Sequence, residues 1–340
     1  MDGPASSGRA RSSCAPSSRT SSHRASPFPV EAPYRTRADL ARLEGPAFPR
    51  LPDDDALRAQ KARALSERPE RIRVPDPERG GDVGRDVAAT LPRIAELRPD
   101  LITPATQAVA PAFTVADAHG RAWAFPTLTA EAAELLRACP PATCVADALA
   151  LSLPDDLAWM RDDGAAGRAS LLHVAFPSRW APETRAGASL AELHGPVADG
   201  AALRAASAAL MRAIVRKGPF RRWVWSVPAT PALDLHPKRC RGAGERPATP
   251  SGGVVARSWL RVERQTTVPF PAAGLALFAI RVQVAPLAQV LTDRPGRAAL
   301  LAASIRSMSS ETRTYKGLAG ADALLVELDR WTEAEAQART

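Results

Sequence analysis

The sequence predicts an α+β fold, and three observations carry that expectation. Trp259 to Thr267 and Leu275 to Val284 are long alternating segments separated by the turn residues Pro269 to Gly274, the pattern of an antiparallel pair. Phe113 to Phe125 repeats the pattern on a smaller scale around Ala118-His119-Gly120. Helical patterns stand apart from these hairpins instead of alternating with single strands, which excludes a doubly wound parallel sheet.

The elements follow in chain order. Residues 1–25 hold eight Ser, four Arg and one acid, with almost nothing large and apolar, so burial cannot offset the entropy of ordering them and a disordered tail is expected. A start rich in Ser and Arg also matches an organelle transit peptide in composition but lacks its amphipathic helix, and no secretory apolar stretch follows. Residues 26–110 form a Pro- and Arg-rich lead-in with helical patches at Asp55 to Arg68 and Asp86 to Leu97, expected to wrap a main domain at 111–336. In that domain Thr129 suits the cap of a helix reaching Cys139, where Pro140-Pro141 stops it. Pro154, Asp155 and Asp156 suit the first turn of another helix, through Met160.

Leu171 to Phe176 reads as a buried strand, and Ser189 to Leu193 as a short helical segment. Asp199 is expected to cap a long helix to Val215, with Leu203, Leu210, Met211 and Ile214 on one face. Arg222 to Val227 reads as a strand, residues 237–253 as a loop insertion rich in Arg, Gly and Pro, and Ala321 to Ala336 as an amphipathic helix.

Composition bounds the function. The chain has 340 residues, enough for a sizeable core, and its longest clear apolar run, Leu275 to Ile280, falls far short of the roughly 20 residues of a membrane span. A net charge of +9 raises nucleic acid as a partner, but the arginines are scattered among acids rather than gathered on an aromatic-basic face, so no nucleic-acid role is expected. Cys14, Cys139, Cys144 and Cys240 have neither disulfide-scaffold density nor C-x-x-C spacing, which suits a reducing, cytoplasmic compartment.

Phosphate loops, nucleophile elbows, H-E-x-x-H and dinucleotide fingerprints are missing. A surface or core role is the ordinary reading of a histidine, and His194 departs from it most: it ends a short helical segment directly before Gly195-Pro196, where the chain turns away. One imidazole without clustered partners cannot build a zinc site but can serve as the axial ligand of a haem. His236, which precedes Pro237, is the second choice, although neighbouring Lys238 and Arg239 suggest an exposed position. Arg261, Glu263 and Arg264 are the other candidates. Arg261, Glu263 and Gln265 share one strand face, and Leu260, Val262 and Arg264 the other. They are either a solvated strand surface or a cavity lining, in which arginine pairs with a carboxylate or propionate and Glu263 supports an amine or relays protons.

The segments Leu260-Arg-Val-Glu-Arg-Gln-Thr266, Leu277-Phe-Ala-Ile-Arg281 and Tyr315-Lys-Gly317 resemble the haem-dependent oxidative N-demethylase family, relatives of its dimethylamine-oxidising α subunit. Asp155-Asp-Leu-Ala-Trp-Met160, Phe176-Pro-Ser-Arg-Trp-Ala-Pro182, His194-Gly-Pro-Val197, Phe220-Arg-Arg-Trp-Val-Trp225 and Leu235-His-Pro237 support the resemblance over residues 120 to 320. It implies a PAS-like antiparallel sheet with flanking helices, and haem b held by one histidine. It also implies oxidative removal of a methyl group from a small secondary amine with release of formaldehyde. Electrons would come from NADPH through a flavin or iron–sulfur reductase partner. Departures from the family pattern are Ala198 after His-Gly-Pro-Val, Val268-Pro269-Phe270 after the R-V-E-R-Q-T strand, the 237–253 loop and the Ser/Arg tail. A PAS-like haem-binding or sensing module without turnover is the alternative.

Overall fold

A computed structural model describes residues 26–338 except 81, 127 and 241–251; the expected tail at 1–25 and most of the 237–253 loop lie outside the described residues. Among the described residues ten strands occur in chain order: β1 (Ala41–Arg42), β2 (Arg73–Pro75), β3 (Thr103–Pro104), β4 (Phe113–Ala116), β5 (Ala122–Phe125), β6 (Asp156–Arg161), β7 (Arg168–His173), β8 (Phe220–Ser226), β9 (Trp259–Phe270) and β10 (Leu275–Pro286). Seven form one antiparallel sheet in the order β1-β8-β9-β10-β6-β7-β2, and β3-β5-β4 form a small second sheet. Helices flank both, so the α+β expectation holds.

The spine is the β9–β10 hairpin, paired without interruption from Phe270↔Leu275 to Trp259↔Pro286. Gly274 closes its turn at φ 63°, a left-handed value that favours glycine. Leu157, Trp159, Leu277 and Ala279 pack from one sheet face against the helices Val83–Leu97 and Pro141–Ser152. Farther along the same face, Leu260 and Val262 join the helices Leu287–Thr292, Arg297–Arg306 and Asp322–Gln337. This last helix is the expected amphipathic one, with Leu324, Leu325 and Leu328 buried.

Two expectations are corrected. Pro154 to Met160 is not helical: Asp156–Arg161 is β6, buried throughout except at Arg161. Its near-continuous apolar run is that of a strand covered on both faces, and Asp156 accepts hydrogen bonds from the backbone N–H groups of Ala175 (2.9 Å) and Phe176 (2.8 Å) instead of capping a helix. Pro140-Pro141 ends one helix at Arg137 but also opens the next, Pro141–Ser152, because proline loses nothing in a first helical turn.

The lead-in does more than wrap. β1 extends the sheet beyond β8 and β2 extends it beyond β7. Val87, Leu91 and Ile94 of the helix Val83–Leu97 lie in the same core as β6 and β10.

Candidate functional site

Side chains alternate along a strand, so residues opposite one another in an antiparallel pair share a face. The register Gln265↔Arg222, Glu263↔Val224 and Ala158↔Phe278 therefore gathers these side chains on the sheet face away from the helices 83–97 and 141–152. There they floor a cavity of about 1110 Å³. The helix Ser207–Lys217 contributes Leu210 and Ile214, the 178–181 loop contributes Arg179 and Trp180, and the chain after the helix Leu190–Leu193 contributes His194. Tyr315, Lys316 and the lead-in segment 28–31 and 34–41 complete the lining. The volume exceeds the range of about 300–1,000 Å³ usual for small-molecule sites, room for a macrocycle with a small second ligand.

His194 is built by its neighbours. Ser189 and Glu192 form a reciprocal capping box that starts the helix Leu190–Leu193. One turn later the His194 ring donates from Nδ1 to the Leu190 carbonyl at 2.7 Å. A carbonyl only accepts, so the proton must sit on Nδ1 and Nε2 carries the lone pair. Burial holds the imidazole below its usual pKa, with the Arg222 charge acting the same way. The result is a neutral ring whose second nitrogen carries the proton to a carbonyl, the arrangement expected of a metal-ligating histidine.

The other histidines are differently placed. His236 is buried, not exposed as its neighbours suggested. Its Nε2 meets Glu183 at 3.0 Å and its Nδ1 accepts from the Lys238 backbone N–H at 3.1 Å, so both ring nitrogens are engaged. His173 is buried against Asp147 at 3.0 Å, and His119 is exposed at its hairpin tip. Among the described residues no group of three or more His, Cys, Asp and Glu could hold a metal ion.

Arg261 and Glu263 both line the cavity, as their shared face predicts. Arg261, 1% exposed, donates to Ser178 Oγ (2.8 Å) and to the carbonyls of Leu233 (2.6 Å) and Phe176 (2.7 Å). It fastens the loop after β7 to the sheet, and its approach to Glu263 is only 3.9 Å. Glu263 instead accepts from Ser178 Oγ and from Gln265 Nε2 (2.9 Å), which fixes a carboxylate on the cavity floor. Arg264 projects from the opposite face and donates to the carbonyls of Pro46 (2.9 Å) and Ala47 (3.1 Å). It is outside the cavity, and its grouping with Arg261 and Glu263 as one site is corrected by the two-residue period of the strand.

Asp199 does not cap the helix that follows it. It adopts φ 55°, and its Oδ2 accepts from Ser309 Oγ (2.6 Å) and Thr312 Oγ1 (2.8 Å). The expected single helix is broken into Ala201–Ala205 and Ser207–Lys217, and Asp199 instead clasps the His194 loop to the helix Ser310–Tyr315.

Residues not singled out from the sequence complete the site. Lys316 Nζ donates to the Trp225 carbonyl (2.7 Å) and lies 4.9 Å from the Tyr34 ring centre and 4.8 Å from that of Trp225. Burial lowers its pKa to about 8. Arg222 faces the cavity and has no hydrogen bond or ion pair among the described residues. The alternation in Phe220-Arg-Arg-Trp-Val-Trp225 was the available signal for it, since it places Arg222 and Val224 on one side. Among the described residues, eight arginine and lysine residues line the cavity against three carboxylates.

A family model described as haem-dependent oxidative N-demethylase, alpha subunit-like, matches residues 111–325. No curated protein matches the chain.

Proposed function

Because the chain belongs to the haem-dependent oxidative N-demethylase, alpha subunit-like, family, we propose that it binds haem b through His194 and removes a methyl group oxidatively from a small secondary amine. The observation that carries this reading is the His194 ring, locked as the Nδ1–H tautomer in a cavity of macrocycle size. The strand order supports a PAS-like sheet, since the first principal strand β6 lies beside the last, β10, at the centre. The predominance of cationic lining suits a porphyrin that carries two carboxylates.

When bound, haem supplies dioxygen activation and oxidation of the methyl carbon, and formaldehyde leaves with the demethylated amine. The chain's own residues supply position and charge. Glu263, held by Ser178 and Gln265, pairs with the ammonium form of the amine and accepts its proton. Arg261 keeps Ser178 in place. Met160, Phe278 and Ile280 exclude water from the floor. Electrons come from NADPH through a flavin or iron–sulfur protein, consistent with a chain of α-subunit type that works with other subunits.

Absorption spectra of the purified protein, oxidised and reduced, test the first half of the reading, and a Soret band is expected. Amine-dependent oxygen uptake with a reductase tests the second half. Glu263→Gln keeps volume and removes charge; intact haem binding with turnover lowered about 10²-fold or more is expected. Wild-type turnover in that variant returns Glu263 to a structural role. A Soret band without amine-dependent uptake in the wild-type protein favours a sensing module.

A further inference from the structure

We propose that Arg222 is the seat of a propionate carboxylate of the haem, a role that rests on the haem-binding reading above. Arg222 stands on β8 directly across from Gln265, on the cavity face of the sheet. Its Nε is buried with no hydrogen-bond partner. A guanidinium presents five donors and keeps its charge, so leaving it unpaired in a half-buried position costs free energy that an anion recovers.

The protein's own anions are spoken for. Glu263 is held by Ser178 and Gln265, and Asp39 is paired with Arg37, which also takes Glu31 at 2.9 Å. Of the other buried cations of the lining, Arg261 is committed to two carbonyls and Ser178, and Lys316 to the Trp225 carbonyl; Arg221 also has a buried Nε without a partner, but it lies 5.6 Å from the Trp223 ring centre and alternates to the opposite face of β8, across from Thr266. Arg222 combines a place on the cavity face of the sheet, beside Gln265 and Glu263, with partial burial and unspent donors. Arg222 and His194 line the same cavity. A haem ligated by His194 carries its two carboxylates on one edge, and a bidentate guanidinium is the side chain best matched to one of them.

The test compares ferric protoporphyrin IX with its dimethyl ester, which keeps the macrocycle and removes both carboxylate charges. Each is titrated into the haem-free protein and followed at the Soret band, so the readout does not depend on turnover. Wild-type protein is expected to prefer the free acid by about ten- to a hundredfold, the worth of a hydrogen bond to a charged group. Arg222→Met should lose most of that preference, and Arg222→Lys should keep part of it. Taking the ratio for each variant cancels the ester's poorer solubility and any general loosening of the fold. An Arg222→Met protein that discriminates acid from ester as well as the wild type overturns the proposal, as does an absence of preference in the wild type. Failure of the wild-type protein to bind either porphyrin with a His194-dependent spectrum overturns the haem reading itself, a result separate from the acid-to-ester ratio.

Discussion

His194 and His236 differ in what their ring nitrogens are free to do. His236 spends both, on Glu183 and on the Lys238 backbone, whereas His194 spends only Nδ1. His194→Ala should therefore lose haem or shift the Soret maximum, while His236→Ala should keep the spectrum and lose stability, since Glu183 then keeps only the looser Lys238 contact at 3.5 Å; retention of an unchanged spectrum in His194→Ala refutes the assignment. Lys316 makes a prediction in pH. Its pKa of about 8 in the folded protein lies below the ordinary 10.5, and burial is the leading cause. Between those values the unfolded chain binds more protons, so this residue makes stability rise with pH across the window, by at most about 1.4 kcal/mol per pH unit. Denaturant midpoints measured from pH 7.5 to 10.5 should climb less steeply in Lys316→Met than in the wild type.

At the scale of elements, the cavity wall is tied together by contacts between segments far apart in sequence. Asp199 joins the His194 loop to the helix Ser310–Tyr315, and Arg179 lies against Gly317 just beyond that helix. Gly317 has φ 72°, and a Cβ there would overlap the Arg179 guanidinium. Gly317→Ala thus combines an unfavourable backbone with displacement of a cavity wall. A loss of about 1 kcal/mol or more in unfolding free energy is expected, with weaker haem retention, whereas Gly320→Ala, where nothing lies near the added carbon, should do neither. Comparing the two by denaturant unfolding and haem transfer to an excess acceptor decides whether the Arg179 contact matters.

For the molecule as a whole, the family match begins at residue 111, yet the sheet and cavity begin earlier. Phe28, Tyr34 and neighbouring residues line the cavity, β1 and β2 form the sheet edges, and Val87, Leu91 and Ile94 are fully buried. A chain starting at residue 111 would expose β7 and strip one core face, so it should aggregate or unfold without cooperativity. Removal of residues 1–25, which lack side chains suited to burial, should leave the unfolding midpoint and haem content within error. Removal of residues 1–43 separates the two effects: the core helix stays, but the cavity loses a wall, and haem should dissociate faster. Cooperative folding and full haem retention by the chain from 111 would show the lead-in to be dispensable.

Local pattern settled much of this in advance. The β9–β10 hairpin, the 113–125 hairpin, the helix at 322–337 and the shared face of Arg261, Glu263 and Gln265 all follow from periods of two and 3.6 residues, which act within one element. The position of His194 before Gly195-Pro196 is of the same kind. What sequence could not decide was which groups burial would bring together. Asp155-Asp156 looks like a helix start until both faces of the segment are covered, and then the strand is the conformation that satisfies its backbone. In sequence, Arg261 is the candidate partner for a carboxylate, and Arg222 is not singled out. Only the tertiary structure shows Arg261 consumed by Ser178 and two carbonyls and Arg222 left with donors to spare, because hydrogen-bond satisfaction is a property of neighbours that lie 28 to 85 residues away along the chain.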